Sequence, residues 1–223
     1  MLTALRRLVR VPRRLALRFA RRDDGVSAVE FGLIAPVLVL MFLGVLELSG
    51  VITASNRSTF AADAVAEMVS RVDHTVTSDE LKSFAIASAL IDPDIVKYAR
   101  MNNIAVDQAF KITISSVQFE PKVATCLMLG CAYDGKVVFS YTLNGTKRAC
   151  GKLTPAAADA QTLATLPSDV YGPGSLVVVD VETYHSPIMP VRFKSGPATF
   201  KRTSYFRPRY VPRVNSSSNC SGY

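Results

Sequence analysis

Histidine is scarce in this chain, with only His74 and His185 among 223 residues. A structural zinc centre takes four nitrogen or sulfur donors at short spacings, and the cysteines do not supply them. Cys126 and Cys131 enclose four residues in "CLMLGC", whereas Cys150 and Cys220 stand apart, with no second close pair. Also missing are a Walker A loop, a dinucleotide-binding glycine fingerprint, an HExxH helix and a GxSxG elbow. Their absence argues against the commonest nucleotide-dependent and hydrolytic chemistries, so the expectation is a protein that is not an enzyme and holds no metal or cofactor. His185 follows a strand-like run and has Asp180, Glu182 and Ser186 near it. A lone histidine at a strand end reads as a solvated or packing residue before it reads as a catalytic one. No internal repeat occurs, and the composition suits one ordinary domain plus an anchor.

Charge is missing in two places, and both gaps are informative. Residues 192–213 hold seven basic residues and no acid, and residues 1–24 hold eight arginines against Asp23 and Asp24, so the net charge of +8 is terminal. The 167 residues from 25 to 191 are net acidic, with eleven basic against sixteen acidic side chains. The second gap runs from Phe31 to Leu46, sixteen residues without a charge. A bilayer span takes about 20 residues at ~1.5 Å rise each. Extending the run over Val26 to Val29 and Leu48 to Ile52 reaches that length and places Glu30 and Glu47 near the two interfaces. Arginines before an apolar helix stay on the cytoplasmic side, which puts the N-terminus inside and everything after about residue 50 outside. A cleaved secretory signal is the competing reading, but "SGVITASNRS" is a poor small-x-small cleavage site. An acid at the rim of an apolar helix is costly unless a partner keeps it there, so Glu30 asks for an explanation.

The stretch "GVSAVEFGLIAPVLVLMFLGVLEL" resembles the N-terminal signature of the TadE-like family, pilin-like proteins of the bacterial tight-adherence (Flp) pilus machinery. The resemblance covers about 25 contiguous residues and rests on Gly25, Glu30, Phe31, Pro36, Gly44 and Glu47, with Ala28 and Val29 also fitting. It implies cleavage by a prepilin peptidase between Gly25 and Val26. The new Val26 amine would then be available to the Glu30 carboxylate of a neighbouring subunit in a helix bundle. Major Flp pilins usually carry tyrosine where this chain has Phe31, which points to a minor pilin or pseudopilin. The implied partners are other pilin-like subunits, the inner membrane and the prepilin peptidase. Nucleic acid is not among them. The implied location is the bacterial inner membrane with a periplasmic C-terminal domain, incorporation into the pilus being left open. Without the motif, Glu30 would read as an acid that snorkels to the headgroups.

The periodicities past the membrane segment fit an α+β, pilin-like fold, a long N-terminal membrane helix packed on a small antiparallel β-sheet. Ala61, Val65, Met68 and Val72 form a helical stripe, suited to packing on the chain's own sheet or, as the rival use, on another helix. Thr77 and Glu80 have capping-box spacing, which predicts a helix from about Asp79 to Ile91, and Asp92-Pro93 opens a further short turn toward Met101. Ile112 and Ile114 lie on one parity while Val117 and Phe119 lie on the other, predicting a bulge near Ser115-Ser116. Val137, Phe139, Tyr141 and Leu143 alternate, as do Val177, Val179 and Val181, and "TFKRTSYF" reads as the last of four strands. The segment "KLTPAAADAQTLATLPSDVYGPG" is ambiguous between loop and short helix. The predicted divisions are a basic leader at 1–25, the membrane helix and its continuation at 26–73, and the extracytoplasmic domain at 74–223.

All four cysteines fall on the predicted exterior side, where disulfides are expected. Three pairings are possible, and loop-closure entropy weakly favours Cys126 with Cys131 and Cys150 with Cys220. The basic, aromatic C-terminal segment reads as a lysine- and arginine-protected edge strand, with an acidic envelope polymer and then DNA as the alternatives. Asn56, Asn144 and Asn215 open glycosylation-type triplets that a bacterial setting makes incidental. The alternative to a pilus-assembly role is a membrane-tethered extracytoplasmic enzyme or ligand-binding protein that uses the helix only as an anchor.

Overall fold

The computed structural model describes residues 24–123, 125, 131–157, 162–187 and 197–222. Most of the basic leader and Cys126 therefore lie outside the described residues. The chain divides into two compact units, Met1–Ser49 and Gly50–Tyr223. Helix α1 runs without interruption over Asp24–Ser70 and contains Pro36. In the first unit its side chains from Ser27 onward are exposed or half-exposed throughout. Proline inside a helix removes one backbone bond, here the one to the carbonyl of Gly32.

The second unit contains the rest of α1, helices α2 (Ser78–Ile91) and α3 (Pro93–Asn102) and a six-stranded sheet. Thr77 and Glu80 cap α2 reciprocally: the Thr77 amide donates to Glu80 Oε2 at 2.8 Å and the Glu80 amide to Thr77 Oγ1 at 3.3 Å. Asp92 ends α2 and caps α3, accepting the Asp94 amide at 3.1 Å, with Pro93 where its missing N–H costs nothing. Asn103 closes α3 in the left-handed region.

The strands are β1 (Lys111–Pro121), β2 (Tyr133–Leu143), β3 (Lys152–Ala156), β4 (Thr165–Pro167), β5 (Gly174–His185) and β6 (Ala198–Phe206). They lie in the order β4-β3-β2-β1-β5-β6. The sheet is mixed and larger than the small antiparallel one expected. The ambiguous segment supplies β3 and β4, which pair in parallel through Thr154 and Thr165. These strands are too short to show a period, and Pro155 inside β3 hides it further.

One sheet face buries Ile112, Ile114, Val177, Val179 and Val181 against Ala62, Val65, Ala66 and Val69 of α1 and against α2 and α3. Of the predicted stripe, Ala61, Val65 and Val72 are buried and Met68 is half-buried. Helix packing on the chain's own sheet is thus the use the fold makes of it. The opposite face carries a second cluster with Val117, Phe119, Val137, Leu166, Leu176 and Val178.

The expected bulge exists, but on the neighbouring strand. Ser116 pairs with Phe139 and Val117 with Val137, leaving Val138 of β2 as the extra residue. β1 itself alternates regularly, and its parity change is a change in which face is apolar. The phase slip on β2 lets Val138 and Phe139 both join the first cluster while Val137 joins the second.

A C-terminal strap follows β6. Val76 exchanges backbone hydrogen bonds with Asn215 and Ser217, the Arg209 amide donates to the Ser70 carbonyl at the end of α1, and the Cys220 amide donates to Val138. Val214 is fully buried in the first cluster, and Cys220 is joined to Cys150 by a disulfide.

Candidate functional site

The residues singled out in the sequence occupy one helix. Gly25 and Val26 lie in its first turn, and Glu30 lies four residues beyond Val26, one turn on along the same face. Glu30 and Phe31 are exposed, the latter at 67%. A methyl group placed on Gly44 would meet nothing within 4 Å, so the surface there offers a place for close approach. Glu47 is half-exposed, and Pro36 is exposed. From Val29 to Leu48 the large apolar side chains are mostly more than half exposed, among them Leu33, Val39, Leu40 and Phe42. A continuous apolar surface of this size in water would be a strong association liability. Its length and composition suit a membrane crossing.

Within the second unit, α1 is fastened to β6 by polar contacts that the sequence does not announce. Arg202 donates to Ser55 Oγ, and Ser204 donates to Asp63 Oδ1 at 2.6 Å. Glu67 pairs with Arg71 and lies 3.7 Å from Arg209. The first two pairs are 147 and 141 residues apart, beyond the reach of any local pattern. The opposite side of the helix carries Ile52, Asn56 and Phe60 at four-residue spacing, all exposed, Phe60 at 62%.

β6 is an edge strand, in agreement with the protected-edge reading of the basic segment. Its cations have partners, Lys201 3.5 Å from Glu182 and Arg202 on Ser55, and just past the strand Arg207 donates to the Pro173 carbonyl. Residues 192–196, where the basic segment begins, lie outside the described residues.

His185 is a buried packing residue. Its Nδ1 lies 2.9 Å from Asp94 Oδ2, and it faces the Phe200 ring. Neither Ser186 nor Glu182 is its hydrogen-bond partner, so a hydrolytic cluster does not assemble around it. Among the described residues no group of three or more metal-ligating side chains forms a metal site. Cys131, like Cys150 and Cys220, is disulfide-bonded.

His74 stands where α1 hands over to α2, with Nδ1 3.1 Å from Asp73 and Nε2 3.0 Å from Glu80. The Glu80 carboxyl is held down to a pKa of about 2, chiefly by the Thr77 backbone amide and then by His74. The His74 pKa is raised by the contact with Glu80 first and with Asp73 second.

Residues 25–67 match the family model described as TadE-like protein. The match begins at the glycine of the sequence signature and ends inside the part of α1 that packs on the sheet, so the likeness is to TadE-like proteins over this helix. No curated protein and no solved structure matches the chain.

Proposed function

We propose that this chain, TadE-like over residues 25–67, is a minor pilin or pseudopilin that helps initiate, assemble or anchor a tight-adherence pilus. The observation that carries the reading is the coincidence of the family match with an exposed apolar helix that begins beside Gly25 and carries Glu30 one turn past Val26. In this reading a prepilin peptidase cuts after Gly25 on the cytoplasmic side, and residues 50–223 stand in the periplasm. The protein acts through assembly and not through catalysis.

The chemistry of the step follows from the residues. Cleavage turns the Val26 amide into an ammonium group at the end of an apolar helix. An ammonium there is poorly solvated, and a carboxylate of a neighbouring helix at matching depth satisfies it. Glu30 is the first acid after the cut, at a spacing that lets adjacent helices stagger by about one turn, ~5 Å. Phe31 then lies next to the pair and excludes water from it. Gly44, within the apolar stretch, lets a neighbouring helix approach closely.

The test is the mass of the N-terminal peptide of protein purified from its native host. A mature chain starting at Val26 is the expected result. A chain starting at Met1, or near Ser55, overturns the assignment as a processed pilin-like subunit.

A further inference from the structure

The second cluster covers only part of its sheet face, and the remainder forms a groove of about 420 Å³. Its floor is made by Lys111 and Thr113 of β1, Asp180 and Glu182 of β5, and Lys201 and Thr203 of β6. One wall is the turn that starts at Asn144, and another is the Thr162-Leu163 segment. Arg148 fastens this second wall to the floor. Its side chain is 2% exposed, and it donates to the carbonyls of Thr162 and Leu163 at 3.2 and 3.1 Å and to both Asp180 oxygens at 3.0 and 2.8 Å. A buried cation with one partner removed would be costly, so the Arg148–Asp180 pair fixes the shape of the groove.

Asp180 is thereby turned inward, toward Arg148 and the Thr203 hydroxyl at 2.8 Å. Glu182 remains as the carboxylate facing two ammonium groups, Lys111 Nζ at 2.9 Å and Lys201 Nζ at 3.5 Å. One negative charge against two positive ones leaves the floor with a net cation, flanked by Thr146 and Thr203, while the Asn144 side-chain amide is spent on the Asp107 and Phe110 carbonyls.

We propose that this groove binds an acidic oligosaccharide, with a sugar carboxylate taken between Lys111 and Lys201 and sugar hydroxyls on the threonine groups. The charge complementarity requires an anion. Among the described residues the lining carries only Leu163 and Val181 as large apolar side chains, which gives an acidic peptide little to bury. Among the described residues no aromatic ring lines it, and the neighbouring Tyr184 is engaged, its hydroxyl donating to Glu182 at 2.8 Å and its ring lying under Lys111 at 5.9 Å, so the stacking that holds single-stranded nucleic acid is not supplied. The proposal is independent of the assembly role, and failure of either leaves the other standing.

The experiment uses the full chain in nanodiscs, titrated calorimetrically with an oligogalacturonate, a neutral cello-oligosaccharide of equal length and an oligoglutamate. Saturable binding of the oligogalacturonate alone is expected, weakening as salt is added. Replacing Lys111 and Lys201 together by Gln should lower the affinity about tenfold. Glu182→Gln should raise it, because the competing carboxylate is gone, and a merely damaged fold would not produce a gain. Binding that persists in the double lysine variant would belong to the arginine-rich leader and overturn the proposal. Equal binding of the neutral sugar, preference for oligoglutamate, or no binding of any probe would each overturn it as well.

Discussion

At the scale of single residues, two carboxylates carry very different duties. Glu30 stands exposed on α1, where the proposed assembly gives it a partner from a neighbouring subunit, whereas Glu80 is satisfied locally by the α2 cap. Glu30→Gln keeps size and hydrogen-bonding capacity but removes the charge. In an assembled helix bundle the neighbour's Val26 ammonium then loses its counterion, at a cost of about 3 kcal/mol or more. The expected outcome is normal membrane level and normal cleavage after Gly25, with loss of crosslinking to other pilin-like subunits and loss of surface pili. Normal crosslinking and piliation in that strain would reduce Glu30 to a tolerated interfacial acid.

His74 gives a pH dependence whose sign can be worked out. Its pKa in the folded state is raised above the ordinary value of 6.5 by Glu80 and then Asp73. The stabilisation is therefore fully present below 6.5 and is lost as pH rises through the folded-state value. His74 is solvent-exposed, so the effect is small. His74→Gln should flatten the pH dependence of the melting temperature just above pH 6.5 and leave the acid side unchanged. Glu80 behaves oppositely, with stability present above its ordinary value of 4.5 and lost as pH falls toward about 2.

At the scale of elements, the disulfide and the bulge meet. Cys220 donates its amide to the carbonyl of Val138, the extra residue of β2, and its sulfur is bonded to Cys150 across a sequence separation of 70 residues. Closing a loop of that length restricts the unfolded chain by about 4 kcal/mol in the chain-entropy account. Changing both Cys150 and Cys220 to Ser should lower the unfolding free energy of the second unit by that order, read from denaturant titration. It should also strip hydrogen-exchange protection from the strap before the central strands. Equal protection in both proteins would show that the strap is held by packing alone.

The elements legible in the sequence are those whose signals are local. Thr77 with Glu80, and Asp92 with Pro93, mark helix boundaries because capping groups act within one turn. The strong alternation of β5 shows both faces of a central strand. β3 and β4 are not legible, since three to five residues with a proline carry no period and their parallel pairing is a property of the assembled sheet. On β1 the parity change reads as a bulge because sequence shows which residues are apolar, not which face is covered. The apolar helix with Glu30 is legible as one contiguous motif. The groove is not, because Arg148 and Asp180 meet only when β5 lies in the sheet.

At the scale of the whole molecule, the two units make separable demands on the sequence. The first unit presents apolar side chains outward, and the second buries them on two faces of one sheet. A tether requires only hydrophobicity, whereas an assembly helix requires particular residues at particular depths. Replacing residues 1–49 by an unrelated signal anchor should leave the second unit folded, with its Cys150–Cys220 bond intact by non-reducing peptide mapping, and abolish incorporation into pili. Pili at normal level with the foreign anchor would favour the tethered alternative.

The strap also sets a clock. Ser70 and Val76, at the two ends of the joint between α1 and α2, receive backbone partners from residues 209–217, which follow every helix and strand in the sequence. In the proposed exported subunit, that joint waits for residues 209–217 to arrive. On the proposed topology, a subunit still crossing the membrane has its apolar helix in place while this joint is unsealed. Closure of the joint then follows every described strand, and on the proposed assembly reading a half-made subunit cannot present the finished surface to its neighbours.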